Sequence, residues 1–282
     1  MSSRLIFVLL TLCLLPLHAE DPPGFARDSG LPADTDRVTL TLKDSLVGLS
    51  TEVLIDGTAV QLILDTGAGA TLLTPHTAKR LGLHVLESSI RGISSKGERF
   101  EARIAQTERI ELGGAWTTGE PVMVAEIPMP GIDGILGIST LADWDMRIDP
   151  SAKTMTLFPS GKAPPQEGET ALPLLARLGN PAASANNPKG LRILHLTVPV
   201  HVAGQRLEAT LDTGFGGTLS VPETWMRKHA PEALEAALPA LLSGTTMTGG
   251  RKNRAAKLPK LQFGPDTLED IPADISSASP EA

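Results

Sequence analysis

Hydrophobic and polar positions in the first third of the chain predict a β-hairpin. Apolar and polar side chains alternate over residues 51–55, and apolar side chains dominate residues 60–64. Between these runs, Asp56-Gly57 stands at a position typical of a type I′ turn, which joins two antiparallel strands through two residues. The second strand of the hairpin runs directly into Asp65.

A short helix and further strands are predicted after this hairpin. Thr74 is placed to cap the helix, with Pro75 at its first position and Gly82 beyond its end. Apolar runs predict five more strands, over residues 99–104, 107–112, 120–124, 146–149 and 154–158. The unit is therefore predicted to be mainly β, with short helices.

The hairpin and the turn after it occur twice. Residues 51–75 align without a gap on residues 198–222. The identical pairs include Gly57 with Gly204, Leu64 with Leu211, Asp65-Thr66-Gly67 with Asp212-Thr213-Gly214, Gly69 with Gly216, Thr71-Leu72 with Thr218-Leu219, and Pro75 with Pro222. A given tripeptide is expected only ~0.05 times in a chain of this length. The chain is therefore a duplicated unit.

Residues 1–19 form a predicted signal peptide. Arg4 precedes an apolar run over residues 5–15, and Ala19 is a small residue suited to cleavage. The run is shorter than the ~20 residues that a membrane helix needs. We therefore expect a periplasmic or secreted protein with no membrane anchor after cleavage. Cys13 lies inside this segment, so the mature protein is expected to rely on core burial rather than on disulfides.

The repeat and the composition set the remaining expected boundaries. A stretch rich in Pro and Gly separates the two copies. The expected segments are a mature N-terminal leader at residues 20–36, a first lobe at residues 37–158, a linker and loop at residues 159–190, and a second lobe at residues 191–282.

The composition is that of a globular protein. The chain has 282 residues, of which 41% are hydrophobic and 20% are charged. This length allows one large domain or two modest ones. The formal net charge of −7, without a basic domain, argues against nucleic acid as the main partner.

The chemistry of the repeated turn depends on its carboxylate. An apolar strand brings Asp65 into an environment of low dielectric constant, where a lone charge is costly. Thr66 supplies a short hydroxyl that can bond to a neighbouring loop, and Gly67 lets the backbone approach the carboxylate closely. If the turn at Asp212 comes beside it, the two carboxylates can share one proton and hold a water between a base and an acid.

Two motifs of the first copy resemble a known family. Leu64-Asp65-Thr66-Gly67-Ala68 closes the hairpin, and Gly134-Ile135-Leu136-Gly137 comes further along the chain. Together they resemble a lobe of the retropepsin-like aspartic peptidases, of the pepsin and retropepsin clan, over residues 37–158. The resemblance implies two duplicated acid-protease β-barrel lobes with short helices.

The resemblance also implies a role for individual residues. Asp65 and Asp212 would be the catalytic pair. The turns that hold them would be supported by Thr66, Gly67, Thr213 and Gly214, and packed from behind by Ile135, Leu136 and Gly137. The glycine-tipped flaps would contain Gly92, Ile93 and Gly97 in the first lobe, and Gly249 and Gly250 in the second.

The second lobe is expected to be incomplete. Residues 261–264 match residues 110–113, and no second hydrophobic-hydrophobic-Gly element comes after them. Phe215 also stands where the family has a small residue. We favour a monomer whose two lobes form one cleft, and a homodimer of first lobes is the alternative.

Other kinds of site find less support in the sequence. Gly67-Ala68-Gly69 has Leu72 where a dinucleotide-binding loop has its third glycine, and no GxSxG element occurs. The histidines show neither HExxH nor Cys/His ligand spacing, and they are His18, His76, His84, His195, His201 and His229. We therefore predict neither a metal nor a cofactor.

A basic cluster near the second flap has two interpretations. It is either a solvated hairpin or a contact for acidic groups of a substrate or a cell-envelope polymer. The cluster consists of Arg251, Lys252, Arg254, Lys257 and Lys260.

The sequence favours an exported aspartic endopeptidase that acts on peptide or protein substrates. The alternative hypothesis is a peptide-binding module that retains the protease fold with weak or no turnover.

Overall fold

The computed structural model describes residues 10–12, 27–46, 48–93, 99–127, 131–167, 175–178, 191–214, 216–239, 245–246, 249–250 and 254–276. The fold is mainly β, which confirms the predicted fold class. The helices of the described part are short: α1 (Pro75–Arg80), α2 (Ile138–Leu141), α3 (Glu223–His229) and α4 (Pro231–Glu235).

The strands that precede the second copy of the repeat are β1 (Leu10–Leu12), β2 (Ser29–Gly30), β3 (Val38–Thr41), β4 (Lys43–Ser45), β5 (Gly48–Ile55), β6 (Thr58–Leu64), β7 (Leu72–Leu73), β8 (Val85–Ile93), β9 (Arg99–Gln106), β10 (Arg109–Leu112), β11 (Ala115–Thr118), β12 (Pro121–Val124), β13 (Gly134–Leu136), β14 (Trp144–Asp149), β15 (Thr154–Pro159) and β16 (Leu175–Leu178). The strands of the second copy are β17 (Leu194–Val202), β18 (Gln205–Thr210), β19 (Ser220–Pro222), β20 (Leu238–Pro239), β21 (Thr245–Thr246), β22 (Gly249–Gly250), β23 (Arg254–Phe263) and β24 (Asp266–Ser276).

The first lobe is built from two sheets. The larger sheet has the order β2-β11-β10-β5-β6-β13-β7-β12-β9-β8, with β4 paired to β5, and the smaller has the order β1-β14-β15-β3. The β5–β6 hairpin turns at Asp56 and Gly57, whose φ angles of 49° and 77° are both positive. Positive φ at both central residues is the signature of a type I′ turn, so the predicted hairpin is confirmed.

Strand β13 is the element that closes the first lobe behind the hairpin. It runs parallel to β6 and antiparallel to β7, and so fills the space between them. Leu62, Leu64 and Leu136 are fully buried at this junction. The end of β6 is therefore held from both sides.

Helix α1 begins and ends as its sequence predicts. The Thr74 hydroxyl accepts a hydrogen bond from the Thr77 N–H at 3.1 Å, and Pro75 occupies the first turn. Gly82 lies just after the helix with φ of 70°, in the left-handed region that favours glycine at this position.

The second copy repeats this hairpin but continues from it differently. Strands β17 and β18 are joined at Ala203-Gly204, again with two positive φ angles. Strand β19 runs parallel to β24, as β7 runs parallel to β12. Among the described residues, no strand lies between β18 and β19, where the first lobe has β13.

The beginning of the second copy packs into the first lobe. Leu194 and Leu196 of β17 belong to the first lobe's main core, and Ile193 packs beside Leu72 in a neighbouring cluster. The Leu194 N–H donates to the Gly69 carbonyl at 2.9 Å. The two copies are therefore joined through shared core contacts next to the first Asp-Thr-Gly turn.

Two segments expected to lie outside the lobes contain strands. Strand β16 falls within the predicted linker and pairs with β17. Strand β2 falls within the predicted leader and pairs with β11, with Gly30 opposite Trp116. Neither strand was predicted from the sequence, because they are two and four residues long, too short to give a periodic signal.

The predicted signal peptide lies mostly outside the described residues. Strand β1 is the part of it that is described, and it pairs with the edge of β14. In the described part of the chain, none of the helices is long and apolar enough to cross a bilayer.

Candidate active site

Asp65 stands at the end of the buried strand β6, in a turn that binds its carboxylate. The Gly67 and Ala68 N–H groups donate to Asp65 Oδ1 at 2.8 and 2.9 Å. The Asp65 N–H itself donates to the Leu136 carbonyl at 3.1 Å. The carboxylate is thus fixed by its own turn and by β13 behind it.

Asp212 occupies the same position after β18. The Gly214 N–H donates to Asp212 Oδ1 at 2.8 Å, the same length as the matching bond at Asp65. Phe215, the next residue in the chain, lies outside the described residues.

The two turns meet face to face. A Cβ atom placed on Gly67 would lie 2.5 Å from Asp212 Cγ, and one placed on Gly214 would lie 2.5 Å from Asp65 Cγ. Contacts this short do not occur between real side chains, so both positions require glycine. The missing side chains allow the two carboxyl groups to hydrogen bond to each other.

Two threonines connect the turns. The Thr66 N–H donates to Thr213 Oγ1 at 3.1 Å, and the Thr213 N–H donates to Thr66 Oγ1 at 3.1 Å. The Thr66 hydroxyl then donates to the Leu211 carbonyl at 2.7 Å, and the Thr213 hydroxyl to the Leu64 carbonyl at 2.9 Å. Each hydroxyl therefore binds the strand end of the opposite copy.

The electrostatics of the pair favour a proton on Asp65. The pKa of Asp65 is raised to about 7, mainly by burial and in addition by the negative charge of Asp212 and the hydrogen bond to it. The Ala68 and Gly67 N–H groups act in the opposite sense because they stabilise the carboxylate. A carboxyl group with this pKa can act as an acid near neutral pH.

The two turns are packed to different extents. A Cβ on Gly69 would lie 2.7 Å from Ile193 Cγ2, whereas a Cβ on Gly216 would meet, among the described residues, no atom within 4 Å. Leu64 is fully buried, and its counterpart Leu211 is only partly buried. The first turn is therefore the more rigidly enclosed of the two.

The Gly134–Leu136 strand and Gly137 lie directly behind the first turn. A Cβ on Gly134 would lie 2.2 Å from the Leu72 carbonyl oxygen, and a Cβ on Gly137 would lie 2.3 Å from that of Ala70. Ile135 and Leu136 pair in register with Ile63 and Leu64 of β6. Both glycines are thus required by close backbone approach.

The predicted flap residues are described only in part. Gly92 and Ile93 end β8, which pairs with β9, and Gly97 lies outside the described residues. Gly249 and Gly250 form β22, which pairs with β21. The flap assignment in both lobes stays a prediction.

The basic residues predicted near the second flap lie, where they are described, on the long strand β23. Lys257 is 3.4 Å from Asp270 of β24, Lys260 pairs in register with Glu269, and the Arg254 guanidinium donates to the Leu234 carbonyl at 2.7 Å. Acidic groups of the neighbouring strand thus balance this charge. Arg251 and Lys252 lie outside the described residues.

One buried polar group behind the turn was not identified from the sequence. Glu120 precedes β12 and is 2% exposed, and Thr71 is fully buried. The repeat pairs Thr71 with Thr218, which is the signal that could have marked Thr71. Glu120 has no counterpart in the aligned part of the repeat, so nothing in the sequence marks it.

Part of the first lobe is similar to a known protein family. Residues 51–140 match the family model described as aspartyl protease. The matched segment resembles the retropepsin-like aspartyl proteases, and it includes Asp65 and the Gly134–Leu136 strand behind it. No curated protein matches the chain.

Solved structures of aspartic proteases are also similar to this chain. A retropepsin-like aspartic protease from Rickettsia conorii is 16% identical, with 47% of this chain and 92% of that chain covered and a TM-score of 0.34. An aspartic proteinase from Irpex lacteus is 14% identical, with 83% and 78% covered and a TM-score of 0.46. The EIAV protease, in complex with the inhibitor HBY-793, is 27% identical, with 36% and 91% covered and a TM-score of 0.28.

Proposed function

We propose that this protein is an aspartic endopeptidase whose catalytic pair is Asp65 and Asp212. One observation carries the proposal: each carboxyl group lies against the glycine of the opposite turn, so that a Cβ on Gly67 or on Gly214 would lie 2.5 Å from the Cγ of Asp212 or of Asp65. The reciprocal threonine bonds hold the two turns together. A pair of carboxyl groups with one shared proton provides an acid and a base in the same place.

The reaction follows from this arrangement. Asp212, as the carboxylate, takes a proton from a water molecule while the water oxygen attacks the peptide carbonyl carbon. Asp65, which holds its proton because its pKa is raised to about 7, gives that proton to the carbonyl oxygen. Asp212 then gives its proton to the amide nitrogen while Asp65 takes a proton from one gem-diol hydroxyl. The C–N bond breaks, a carboxylic acid and an amine are released, and the pair is left with one proton again.

We further propose that the substrate is a peptide or a protein met outside the cytoplasm. The support is the Arg4 and apolar run of the predicted signal peptide. Locating the wild-type protein by cell fractionation tests the proposal: full-length, unprocessed protein in the cytoplasm would contradict it.

A peptide-binding module without turnover is the second candidate. The observation that favours it is the surroundings of the second turn, where a Cβ on Gly216 would meet no atom of the described residues within 4 Å. A loosely held Asp212 would bind a peptide beside Asp65 without completing the acid–base pair.

Cleavage of a peptide library from pH 3 to pH 8 separates the two candidates. The variants are Asp65→Asn and Asp212→Asn, with Asp270→Asn as the matched control because its side chain is 75% exposed and lies on β24. Cleavage by the wild type and the control, but by neither site variant, supports the endopeptidase. Peptide binding without cleavage by any of the four supports the binding module.

A further inference from the structure

A buried group of charged and hydroxyl side chains lies behind the first Asp-Thr-Gly turn. We propose that Glu120, held by Arg27, is a positioning residue that orients this turn through a directed chain of hydrogen bonds. The proposal rests on the proposed function, because the atoms positioned are those of the Asp65 turn.

The charged part of the group is closed off from solvent. The side chains of Arg27 and Glu120 are 8% and 2% exposed and form an ion pair. The Arg27 guanidinium also binds Asp143, with Nε donating at 2.8 Å, and it donates to the Ser139 carbonyl at 3.0 Å. A buried carboxylate is stable only when it is paired and hydrogen bonded, so Arg27 keeps Glu120 ionised.

The hydroxyl part of the group connects Glu120 to the backbone behind the turn. Glu120 Oε1 lies 3.3 Å from Thr140 Oγ1, which lies 2.6 Å from Thr71 Oγ1. The Gly137 N–H donates to Thr71 Oγ1 at 3.1 Å. In a second branch, the Thr71 N–H donates to Ser139 Oγ at 3.4 Å, and the Ser139 hydroxyl donates to Glu120 Oε1 at 2.9 Å.

The direction of these bonds is set at both ends. An ionised carboxylate only accepts hydrogen bonds, and a backbone N–H only donates. The Thr140 hydroxyl must therefore donate to Glu120, and the Thr71 hydroxyl must donate to Thr140 while it accepts from Gly137. A single arrangement of hydrogens satisfies every group, which fixes the rotamers of both threonines.

Gly137 connects these hydrogen bonds to the active-site turn. On one side of it, the Leu136 carbonyl accepts from the Asp65 N–H at 3.1 Å. On the other side, the Ile138 N–H donates to the Ala68 carbonyl at 2.9 Å. Gly137 thus lies between the two backbone bonds that hold residues 65–68 from behind, and a shift of Gly137 moves Asp65 relative to Asp212.

The same group reaches the start of the second copy. The Arg192 guanidinium donates to Asp143 and to the Ser139 carbonyl, both at 3.3 Å. Two residues later, the Leu194 N–H donates to the Gly69 carbonyl. The segment that leads to Asp212 is therefore tied to the same helix α2 as Glu120.

Replacing Thr71 tests the chain of bonds without removing a charge. Thr71→Val keeps the side-chain shape and removes the hydroxyl, and Thr71→Ser keeps the hydroxyl. The matched control is Thr39→Val, which breaks an exposed hydroxyl pair with Thr156, 3.0 Å long, elsewhere in the same lobe. We expect Thr71→Val to lower kcat about 10- to 100-fold with KM changed less than about 3-fold, as for residues that orient a reacting group. Thr71→Ser and Thr39→Val should keep wild-type kcat.

A second readout does not depend on turnover. Carboxyl-carbon NMR of the wild type and of each variant follows the titration of Asp65. In Thr71→Val a looser turn admits water, so the pKa of Asp65 should move toward its ordinary value, and in Thr71→Ser it should stay near that of the wild type. A wild type that cleaves no peptide but shows this NMR pattern contradicts the proposed function and supports the positioning role.

Glu120→Gln provides a second variant. It replaces one carboxylate oxygen by an amide NH2 group, which would face the Arg27 guanidinium, and two donors cannot hydrogen bond to each other. It should reproduce both the loss of kcat and the change in the Asp65 titration. If folded Thr71→Val and Glu120→Gln keep the wild-type kcat and titration, or if Thr71→Ser is as impaired as Thr71→Val, the positioning role is wrong. If Glu120→Gln does not fold, Thr71→Val and Thr71→Ser decide alone.

Discussion

Thr66 and Thr213 exchange reciprocal hydrogen bonds, in which the backbone N–H of each donates to the hydroxyl of the other at 3.1 Å. Each hydroxyl also donates to a carbonyl at the strand end of the opposite copy. Thr66 is 1% exposed, so none of these bonds can be replaced by water without moving the turns. The pair of threonines thus determines how far apart the two carboxyl groups lie.

Thr66→Val removes one hydroxyl from this arrangement. The change leaves the Thr213 N–H and the Leu211 carbonyl without their partners, and each buried unpaired group costs about 1–3 kcal/mol. We expect the free energy of unfolding to fall by about 2 kcal/mol or more, measured by urea denaturation. Thr66→Ser, which keeps the hydroxyl, is the control.

The double variant Thr66→Val/Thr213→Val tests whether the threonines act as one unit. Its cost should be smaller than the sum of the two single costs, because either single change already loosens the contact between the turns on which the bonds of the other hydroxyl depend. Strictly additive costs would show that the two hydroxyls act independently.

Asp65→Asn should change the pH dependence of stability. The pKa of Asp65 is about 7 in the folded protein and 3.8 as an ordinary Asp, so the folded state holds a proton that the unfolded state releases between these values. The contribution of Asp65 to the free energy of unfolding is therefore full below about pH 4 and is lost as the pH rises to 7. Asn does not titrate, so Asp65→Asn does not lose stability in this way as the pH rises. Relative to the wild type, its free energy of unfolding should increase across this range by on the order of 4 kcal/mol, since one pKa unit corresponds to ~1.4 kcal/mol.

Asp133→Asn is a control variant, because the stability that Asp133 contributes should change with pH in the opposite direction. Burial raises the pKa of Asp133, but the Gln61 N–H and the Arg80 and Thr77 side chains outweigh burial and lower it. This carboxylate stabilises the fold above its unfolded pKa, and the stabilisation is lost as the pH falls. Urea denaturation at pH 3.5 and pH 8 should thus show Asp133→Asn weakened at pH 8 and Asp65→Asn strengthened there. The same sign for both variants would contradict the assignment of the raised pKa to Asp65.

Peptide cleavage should decline above neutral pH. The acid that protonates the peptide carbonyl is Asp65, and it loses its proton as the pH passes about 7. At low pH the rate should also fall, because protonation of the second carboxyl group removes the base, so the profile is a bell. The kcat/KM of the wild type, measured from pH 3 to pH 9, checks this. A rate that still rises beyond pH 8 would exclude the carboxyl pair as the acid and base.

The local elements of the first lobe could be predicted because their signals are local. The Asp56-Gly57 turn and the Thr74 cap each depend on residues a few positions apart. The Asp-Thr-Gly turns could be found because the repeat places Asp65 and Asp212 in the same context. The contact between the turns could be expected only from the family resemblance, since no local pattern encodes it.

The group around Glu120 could not be predicted, because its contacts are long-range. Arg27 and Glu120 are 93 positions apart, and Arg27 and Asp143 are 116 apart. In the sequence each is an ordinary charged residue, which is exposed in most proteins. Only the fold shows that these side chains are buried together, and that Ser29–Gly30 pairs with β11.

Arg27→Ala should destabilise the protein strongly. The change leaves the Glu120 carboxylate buried without its ion pair, and breaking a buried pair in this way costs about 3–5 kcal/mol. The control is Arg227→Ala, which removes an exposed ion pair with Glu223 on α3 and should cost about 0.3–0.5 kcal/mol. Urea denaturation of both variants at pH 7 measures the difference. Equal small costs would show that Arg27 contributes no more than a surface residue.

The last prediction concerns which two carboxyl groups form the active pair. In the structure, the turn at Asp65 meets the turn at Asp212 of the same chain, and the start of the second copy is packed into the first lobe's core. Asp212→Asn should therefore reduce cleavage as severely as Asp65→Asn, by about 10³-fold or more, since both belong to one catalytic unit. Mixing the two variants should restore nothing, because each chain then holds a defective pair.

A homodimer of first lobes predicts the opposite results. Asp212→Asn would stay active, residues 37–158 alone would cleave peptides, and the specific activity would fall on dilution through the dimer dissociation constant. Light scattering beside a dilution series of activity distinguishes the two arrangements. We expect a monomer with a specific activity that does not depend on concentration, whereas a dimer that is active without Asp212 would overturn the pairing of Asp65 with Asp212. Because the reciprocal threonine bonds already join the two turns within one chain, a second copy could form such a dimer only after these bonds had broken.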